Sequence, residues 1–170
     1  MLAKRFTVRP TSELDCPHIG PLMRKVWLAT YREIHTKKEL LAQSHRMHQP
    51  VLLLAELSDP QICSFVAEVN GKVVGHARAD LRANGTVYVV RLYLEHKFHG
   101  NGIGGALLAA LENHFSDTKQ VQLDVYEKNE TALRFYLAKG YRIVGRNTKF
   151  QSKDEDVFEL KVLKTLGASE

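Results

Sequence analysis

The fold is decided by the stretch VYVVRLYLEHKFHGNGIGGALLAALENHF, residues Val87–Phe115. It begins with an almost wholly apolar segment, Val87–Leu94, which predicts a buried strand. The glycine-rich segment HGNGIG, His99–Gly104, follows, and apolar residues then recur at helical spacing. A strand, a glycine loop and a helix in this order leave unpaired backbone N–H groups at the start of the helix, where they can bind an anion.

The glycine loop predicts a diphosphate site. Gly100, Gly102 and Gly104 remove side chains where a ligand has to approach the backbone closely. Glycines between a strand and a helix also serve simply to make a tight turn, so spacing has to decide. The loop is not the GxGxxG dinucleotide fingerprint with its distant acidic residue, and no Lys-Ser or Lys-Thr ending of a Walker loop follows.

The rest of the chain predicts alternating strands and helices around this stretch. Asn70 and Gly71 mark a tight hairpin between two strands. Thr11, Ser12 or Asp15 can cap the first helix. The predicted strands are Lys4–Arg9, Ile62–Val69, Lys72–Leu81, Val121–Tyr126, Tyr141–Phe150 and Asp156–Leu163, the last two joined by QSKDED; the predicted helices are one carrying Ile19 to Trp27, Lys37–His48, one running from the glycine loop to Phe115, and Glu130–Lys139.

Composition is that of an ordinary globular protein. The 170 residues suit one domain, and 44% are hydrophobic and 25% charged. The net charge of +5 comes from scattered basic residues, which argues against nucleic acid as a partner. The sequence predicts neither a membrane span nor a signal peptide, so a cytoplasmic location is expected. Cys16 and Cys63 lack metal-binding spacing, and His45 and His48 lack further ligands, so no metal site is expected.

Two motifs resemble the GNAT N-acetyltransferase superfamily. HGNGIG matches its coenzyme A loop, although His99 replaces the usual Gln or Arg. Downstream, NETALRFYLAKGY matches a second motif of that superfamily, with Asn129, Ala132, Phe135, Tyr136, Gly140 and Tyr141 at its positions. Two motifs in the right order are far more specific than either alone. Both segments look most like the bacterial branch that includes spermidine and spermine acetyltransferases.

The resemblance implies an architecture for the whole chain. The expected class is α/β (α+β by some schemes), in the GNAT fold. Its sheet is mixed but mostly antiparallel, with six to seven strands flanked by about four helices. A central pair of strands splays apart. Residues 1–170 are expected to form a single N-acetyltransferase domain.

The resemblance also implies acetyl-CoA as co-substrate. The strand before the loop would pair its backbone with the pantetheine arm, and backbone amides of the loop would bind the diphosphate. Asn129 lies where the family contacts coenzyme A, but an Asn before a helix is also an ordinary N-cap. The implied coenzyme residues are Leu92, Tyr93, Leu94, Gly100, Asn101, Gly102, Ile103, Gly104, Gly105, Asn129 and Tyr136.

Tyr136 is the candidate general acid toward the departing thiolate. A phenol of pKa about 10 is protonated at neutral pH, and proton transfer to a thiolate of pKa about 8.5 is uphill by about 2 kcal/mol, so a hydrogen bond can serve instead. The alternative is that Tyr136 only packs in the core. An alkyl amine also needs a base, because its pKa is about 10.4. The candidates are Asp124 and Glu95, either of which could instead be a solvated strand residue.

The acceptor is the least specified part of the prediction. In the resembled family the first two helices bind it, which here implicates Trp27 and Tyr31, with Arg91 facing it from the sheet. A small amine or polyamine is the expected acceptor. The alternatives are a peptide, in an N-terminal or lysine acetyltransferase, and no acceptor at all, in a non-catalytic acyl-CoA-binding sensor. A homodimer is compatible with the family.

Overall fold

A computed structural model of the chain describes residues 5–115, 117–149 and 157–167. Its strands are β1 Phe6–Pro10, β2 Ile62–Val69, β3 Lys72–Leu81, β4 Thr86–Leu94, β5 Gln120–Tyr126, β6 Arg142–Lys149 and β7 Val157–Thr165. Its α-helices are α1 Cys16–Tyr31, α2 Lys37–Met47, α3 Pro50–Leu57, α4 Ile103–Glu112 and α5 Glu130–Ala138. Short 3-10 turns cover Glu13–Asp15 and His96–Phe98.

The seven strands form one sheet in the order β1-β2-β3-β4-β5-β7-β6. Only the contact between β4 and β5 is parallel, and the other described pairs are antiparallel. The hairpin predicted at Asn70 and Gly71 joins β2 to β3 with Val69 opposite Lys72. The predicted fold class is therefore confirmed, with five α-helices among the described residues instead of about four.

The helices cover the two faces of the sheet with separate cores. On one face α4 buries Leu107, Leu108 and Leu111 against the sheet. On the other, α1 and α3 bury residues such as Met23 and Leu53. Adjacent residues of a strand point to opposite faces, and β2 accordingly places Val66 in the second core and Ala67 in the first.

The strands β4 and β5 separate after a short contact. They pair only at Thr86–Tyr88 with Gln120–Gln122, after which β4 stays paired with β3 and β5 with β7. A bulge follows at once in β4, because Arg78 of β3 faces Arg91 while Ala79 faces Val89. The extra residue of the bulge shifts the alternation of side chains along β4, so that residues after it point to the opposite face from the one expected without it. The predicted splay is thus present at the centre of the sheet.

Three differences from the predicted elements stand out. The helix α3 was not predicted. The helix α4 ends at Glu112, and Phe115 lies beyond it, partly buried against the core. Lys4, Phe150 and the turn QSKDED with Asp156 lie outside the described residues. Among the described helices, none has the length and apolar character that a membrane span requires.

Asp15 anchors the start of α1 to β1. Its Oδ2 accepts hydrogen bonds from the backbone N–H and hydroxyl of Ser12, both at 2.8 Å. Both carboxylate oxygens also accept from Arg9, at 2.7 and 2.9 Å. The hydrogen bond with Arg9 is the largest influence on the carboxyl and lowers the pKa of Asp15 to about 2.

Replacing Asp15 with asparagine is expected to lower the free energy of unfolding at neutral pH, because the carboxylate that pairs with Arg9 is lost. The expected loss is only about 1–2 kcal/mol, since Arg9 is partly exposed and solvent screens the pair. A lowered folded-state pKa means that this contribution is present above about pH 4 and is lost as the pH falls toward about 2. Urea unfolding of both proteins over that range measures it. A stability difference independent of pH would contradict this account.

Candidate active site

The glycine loop is folded into an open turn. Gly100 and Gly102 have φ of +76° and +79°, which residues with a side chain rarely adopt, and a Cβ at either position would meet nothing within 4 Å. The Asn101 side chain closes the turn by donating to the carbonyls of Phe98 and His99, at 3.1 and 3.0 Å. The His99 ring lies 3.1 Å from the Leu94 carbonyl oxygen. The space above the loop is therefore free for a ligand.

The first turn of α4 offers backbone donors to that space. Its first hydrogen bond runs from the Ala106 N–H to the Gly102 carbonyl at 3.0 Å. Gly102, at the N-cap, has no side chain that could cap the helix. Among the described hydrogen bonds, the N–H groups of Ile103, Gly104 and Gly105 have no acceptor. Such a turn can hold a diphosphate, as the loop sequence predicts.

Side chains of α5 and of the residue that follows it reach this turn. A Cβ on Gly104 would lie 3.6 Å from the Phe135 ring. A Cβ on Gly105 would lie 3.0 Å from Nζ of Lys139, closer than a neighbour can normally sit. Gly104 thus leaves room for the Phe135 ring, and Gly105 leaves room for the end of the Lys139 side chain. The second motif, on α5, is in this way brought against the first.

The split between β4 and β5 leaves backbone groups of β4 without a strand partner on that side. Leu92 and Leu94 pack against the α4 core, whereas Tyr93 packs against the α1 core. The predicted coenzyme residues of β4 therefore border the split, with Tyr93 facing the opposite side from its two neighbours. An extended ligand arm fits such an open strand edge, which presents N–H and C=O groups in a row.

Tyr136 is buried at the centre of the molecule, with 6% of its surface exposed. Its ring lies 5.1 Å from that of Phe135 and 5.6 Å from that of Tyr141. Burial is the main reason that the pKa of Tyr136 is raised above its usual value, and Tyr93 adds to it. In the part of the chain that the structure describes, its hydroxyl has no hydrogen-bond partner. A protonated phenol is therefore available to a ligand.

Asn129 is the N-cap of α5, which is the second of the two roles that the sequence predicts for it. Its Oδ1 accepts from the N–H of Ala132 at 3.2 Å. This hydrogen bond fixes the start of the helix that carries Tyr136. It uses the side-chain oxygen and leaves the amide NH₂ group as a donor toward a ligand.

Aromatic side chains from α1 meet others from β4 and β5 on the α1 face. Tyr31 lies 5.3 Å from Tyr126 and 6.3 Å from Trp27, between ring centroids. Trp27 in turn lies 6.1 Å from Tyr93 and 5.0 Å from the buried ring of His48. Burial raises the pKa of Tyr31 well above its usual value. The structure thus brings both predicted acceptor aromatics to one cluster.

Tyr126 and His48 also belong to this cluster, although the sequence analysis assigned neither of them to the acceptor site. Tyr126 could have been found, because it alternates onto the same strand face as Asp124. His48 carries no comparable signal. Its Nδ1 lies 3.0 Å from the Ser44 hydroxyl, and burial lowers its pKa to about 4, so its ring is neutral.

The two candidate bases differ in their surroundings. Oδ2 of Asp124 accepts from the Tyr88 hydroxyl at 2.7 Å, while its Oδ1 is buried and has no described partner. Glu95 instead lies 2.6 Å from Nζ of Lys25 and 3.5 Å from Nζ of Lys97. Burial alone would raise the pKa of Glu95, but the lysines outweigh it and the pKa is lowered. Asp124 therefore has one carboxylate oxygen without a described partner, whereas the negative charge of Glu95 is balanced by the two lysines.

Arg91 points into the protein. Its guanidinium is 4% exposed and makes two hydrogen bonds with the carboxylate of Glu56, a residue of α3. The structure therefore places this predicted acceptor residue in a buried ion pair between α3 and β4. Its N–H groups toward Glu56 are already used.

A cavity of about 630 Å³ lies between α1 and the β2–β3 hairpin. Arg9 pairs with Asp15 and Glu68 along its wall, and Lys25 pairs with Glu95. Among the described residues that line it, neither Tyr136 nor Asp124 is present. Ion pairs therefore line the cavity, and of the catalytic candidates it includes Glu95, whose carboxylate is paired with Lys25.

Comparison with known proteins identifies the family and its fold. The profile of the acetyltransferase (GNAT) family matches residues 23–141, which include the glycine loop, the split and Tyr136. The chain belongs to the GNAT acetyltransferase family. An uncharacterized N-acetyltransferase of Methanocaldococcus jannaschii is 30% identical over 129 residues, covering 74% of this GNAT chain and 82% of that protein. The chain is therefore an enzyme, an acyltransferase that uses acetyl-CoA.

Two further matches are more distant. The spermine/spermidine N(1)-acetyltransferase of Bacillus subtilis is 28% identical over 103 residues, covering 52% of this chain and 68% of that protein. The PaiA N-acetyltransferase of Thermoplasma acidophilum, solved in complex with coenzyme A, has a TM-score of 0.79 at 20% identity. It covers 92% of this chain and 98% of its own, and at this identity it establishes the fold alone.

Proposed function

We propose that this enzyme moves the acetyl group of acetyl-CoA to a primary amine by direct attack of the amine on the thioester. The observation that carries the proposal is the hydroxyl of the buried Tyr136, which has no described partner and lies on α5, the helix whose Phe135 side chain contacts the open turn of α4. The reaction requires a held thioester, a donor to the leaving sulfur and a route for the amine proton.

Backbone groups hold the co-substrate in this proposal. The free N–H groups of α4 from Ile103 bind the diphosphate, and the turn around Gly100 and Gly102 leaves room for it. The open edge of β4 at Leu92 and Leu94 pairs with the pantetheine arm. Acetyl-CoA supplies the activated acetyl group. This chain's contribution is to orient it and to bury its sulfur beside the phenol.

Tyr136 acts as donor to the leaving sulfur. Its raised pKa keeps the hydroxyl protonated, but it also makes complete proton transfer to a thiolate less favourable. A hydrogen bond from the phenol therefore stabilises the developing negative charge. Tyr93, on the neighbouring strand, is near enough to influence this hydroxyl electrostatically.

Asp124 receives the amine proton, directly or through water. Its Oδ1 is buried and has no described hydrogen-bond partner, and the Tyr88 hydroxyl fixes the orientation of the carboxylate. Asp124 lies on the same face of β5 as Tyr126, whose ring meets Tyr31 from α1. A carboxylate beside aromatic rings suits a cationic amine, because both attract an ammonium group.

A small amine or polyamine is the proposed acceptor. Glu159 of β7 adds negative charge near Tyr88, next to Asp124. The cations nearby are Arg82, 4.6 Å from the Tyr88 ring, and Lys161, the cross-strand neighbour of Asp124. The similarity to the Bacillus subtilis spermine/spermidine enzyme supports the same class. The test is a panel of polyamines, monoamines and peptides with acetyl-CoA, read by thiol release. If only peptides were acetylated, a peptide would replace the small amine as the proposed acceptor. Binding of acetyl-CoA without turnover of any acceptor would favour the non-catalytic sensor.

Replacing Asp124 with asparagine is expected to lower kcat/KM for the amine about 10-fold, because Asn keeps the shape and loses the base. The loss should shrink as the pH rises and more of the amine is already neutral. Glu95→Gln is the matched control, since its carboxylate is already paired with Lys25. Steady-state rates over a pH series measure both. A larger loss in Glu95→Gln would assign the base to Glu95.

A further inference from the structure

The bulge in β4 brings two arginines face to face. Arg78 of β3 and Arg91 of β4 are direct cross-strand neighbours at the position where the register shifts. Their side chains are only 14% and 4% exposed, so water screens them poorly. Like charges directly opposite each other on a sheet are destabilising. This geometry needs a negative charge between them.

Glu56 provides that charge from α3. One oxygen of its carboxylate accepts from Nη1 of Arg91 at 3.0 Å, and the other forms a shorter contact with Nη2 of the same guanidinium. The Arg78 guanidinium lies 3.6 Å from Glu56 and 2.8 Å from Asp80. Burial and Arg91 lower the pKa of Arg78, while Glu56 opposes this shift. A single helix residue therefore joins both strands at the bulge.

The bulge stands where the sheet opens. The last contact between β4 and β5 is Tyr88 with Gln122, and the shift in register follows two residues later. Beyond it, Leu92 and Leu94 border the split and Tyr93 turns to the α1 face. Whatever fixes the bulge therefore also fixes the strand edge that the co-substrate would use.

We propose that Glu56 is a positioning residue that holds the β4 bulge, through Arg91 and Arg78, in the form that keeps the coenzyme split open. The inference rests on the proposed placement of acetyl-CoA along β4. Glu56 itself touches neither the co-substrate nor the acceptor. It pairs with Arg91 and shares the charge of Arg78 with Asp80, so that the repulsion between the two arginines does not displace the bulge.

The test is coenzyme A affinity, measured by calorimetry on the full chain. Glu56→Gln is expected to weaken binding about 10-fold, the size of effect that a residue acting through others produces. Glu56→Asp should recover part of the affinity. Glu56→Gln combined with Arg78→Gln should recover more, because the repulsion is gone. At saturating acetyl-CoA, kcat should change much less than KM.

Asp15→Asn is the matched control, because it breaks another partly buried ion pair on the same face, away from the bulge. It should lower stability and leave coenzyme affinity unchanged. Equal loss of affinity in both variants, or wild-type affinity in Glu56→Gln, would overturn the proposal. So would an unchanged affinity in the double variant relative to Glu56→Gln. If the amine panel showed no turnover while the coenzyme A affinities changed as expected, the proposed reaction would be wrong and the role of Glu56 would stand.

Discussion

Tyr136→Phe is expected to lower kcat about 100-fold while leaving KM for acetyl-CoA within about twofold, which is typical of a lost acid contribution. The substitution removes only the hydroxyl. That hydroxyl has no described partner, so its loss exposes no unsatisfied group and costs little stability. Steady-state kinetics and coenzyme calorimetry together separate the loss of chemistry from a loss of binding.

Tyr141→Phe is the control, because Tyr141 is a buried neighbour of Tyr136 with the opposite properties. Its hydroxyl donates to Glu112 at 2.9 Å, a carboxylate also bound by Lys164. Removing it should cost about 2 kcal/mol of stability and leave kcat unchanged. Tyr136→Phe should thus lose turnover and keep its stability, whereas Tyr141→Phe should lose stability and keep its turnover. If Tyr136→Phe turned over like the wild type, or lost stability as Tyr141→Phe does, the phenol would be a packing residue.

The pH dependence of the rate offers a second view of Tyr136. Its pKa is raised by burial, so the protonated donor persists to higher pH than a free phenol would. Activity should therefore rise with pH as the amine loses its proton, without an early alkaline decline from this residue. A decline near neutral pH that disappears in Tyr136→Phe would contradict the raised pKa.

Local sequence signals predicted the parts of the molecule that local interactions determine. Asn70 and Gly71 specify their hairpin through the turn alone. The glycine loop between an apolar strand and a helix gives the open turn, because Gly100 and Gly102 take the positive φ that other residues avoid. The position of Tyr136 on α5 came from a motif, and the structure places its helix against that loop.

The sequence did not predict features that depend on distant partners. The segment PVLLLAEL of α3 is an almost wholly apolar run without an amphipathic pattern. In the structure only Leu53 of this helix is fully buried, and its other leucines are not. The bulge in β4 depends on its register with β3, which no local signal encodes. Arg91 consequently turns toward Glu56, 35 residues away in the chain. Nothing near Arg91 in the sequence indicates this partner, and the acceptor role of Arg91 stays a prediction.

Gly102→Val is expected to raise KM for acetyl-CoA at least about 30-fold. Gly102 is the N-cap of α4 with φ of +79°, a conformation in which a β-branched residue is strongly disfavoured. Relief of that strain would rotate the peptide groups that lead into the first turn, where Ile103 and its neighbours present their free N–H groups. Each aligned charge-assisted hydrogen bond that is lost costs about 1.5–3 kcal/mol. Calorimetry with coenzyme A measures the loss directly.

Gly85→Val separates strain from ligand binding. Gly85 has φ of +78°, and a Cβ there would also meet nothing within 4 Å, but it lies in the turn between β3 and β4. Both variants therefore carry the same kind of backbone strain, and only one carries it at the α4 turn. Equal losses of stability with loss of coenzyme affinity in Gly102→Val alone would assign the diphosphate to α4. Equal loss of affinity in both variants would mean that general destabilisation, and not the backbone donors of this turn, accounts for the effect.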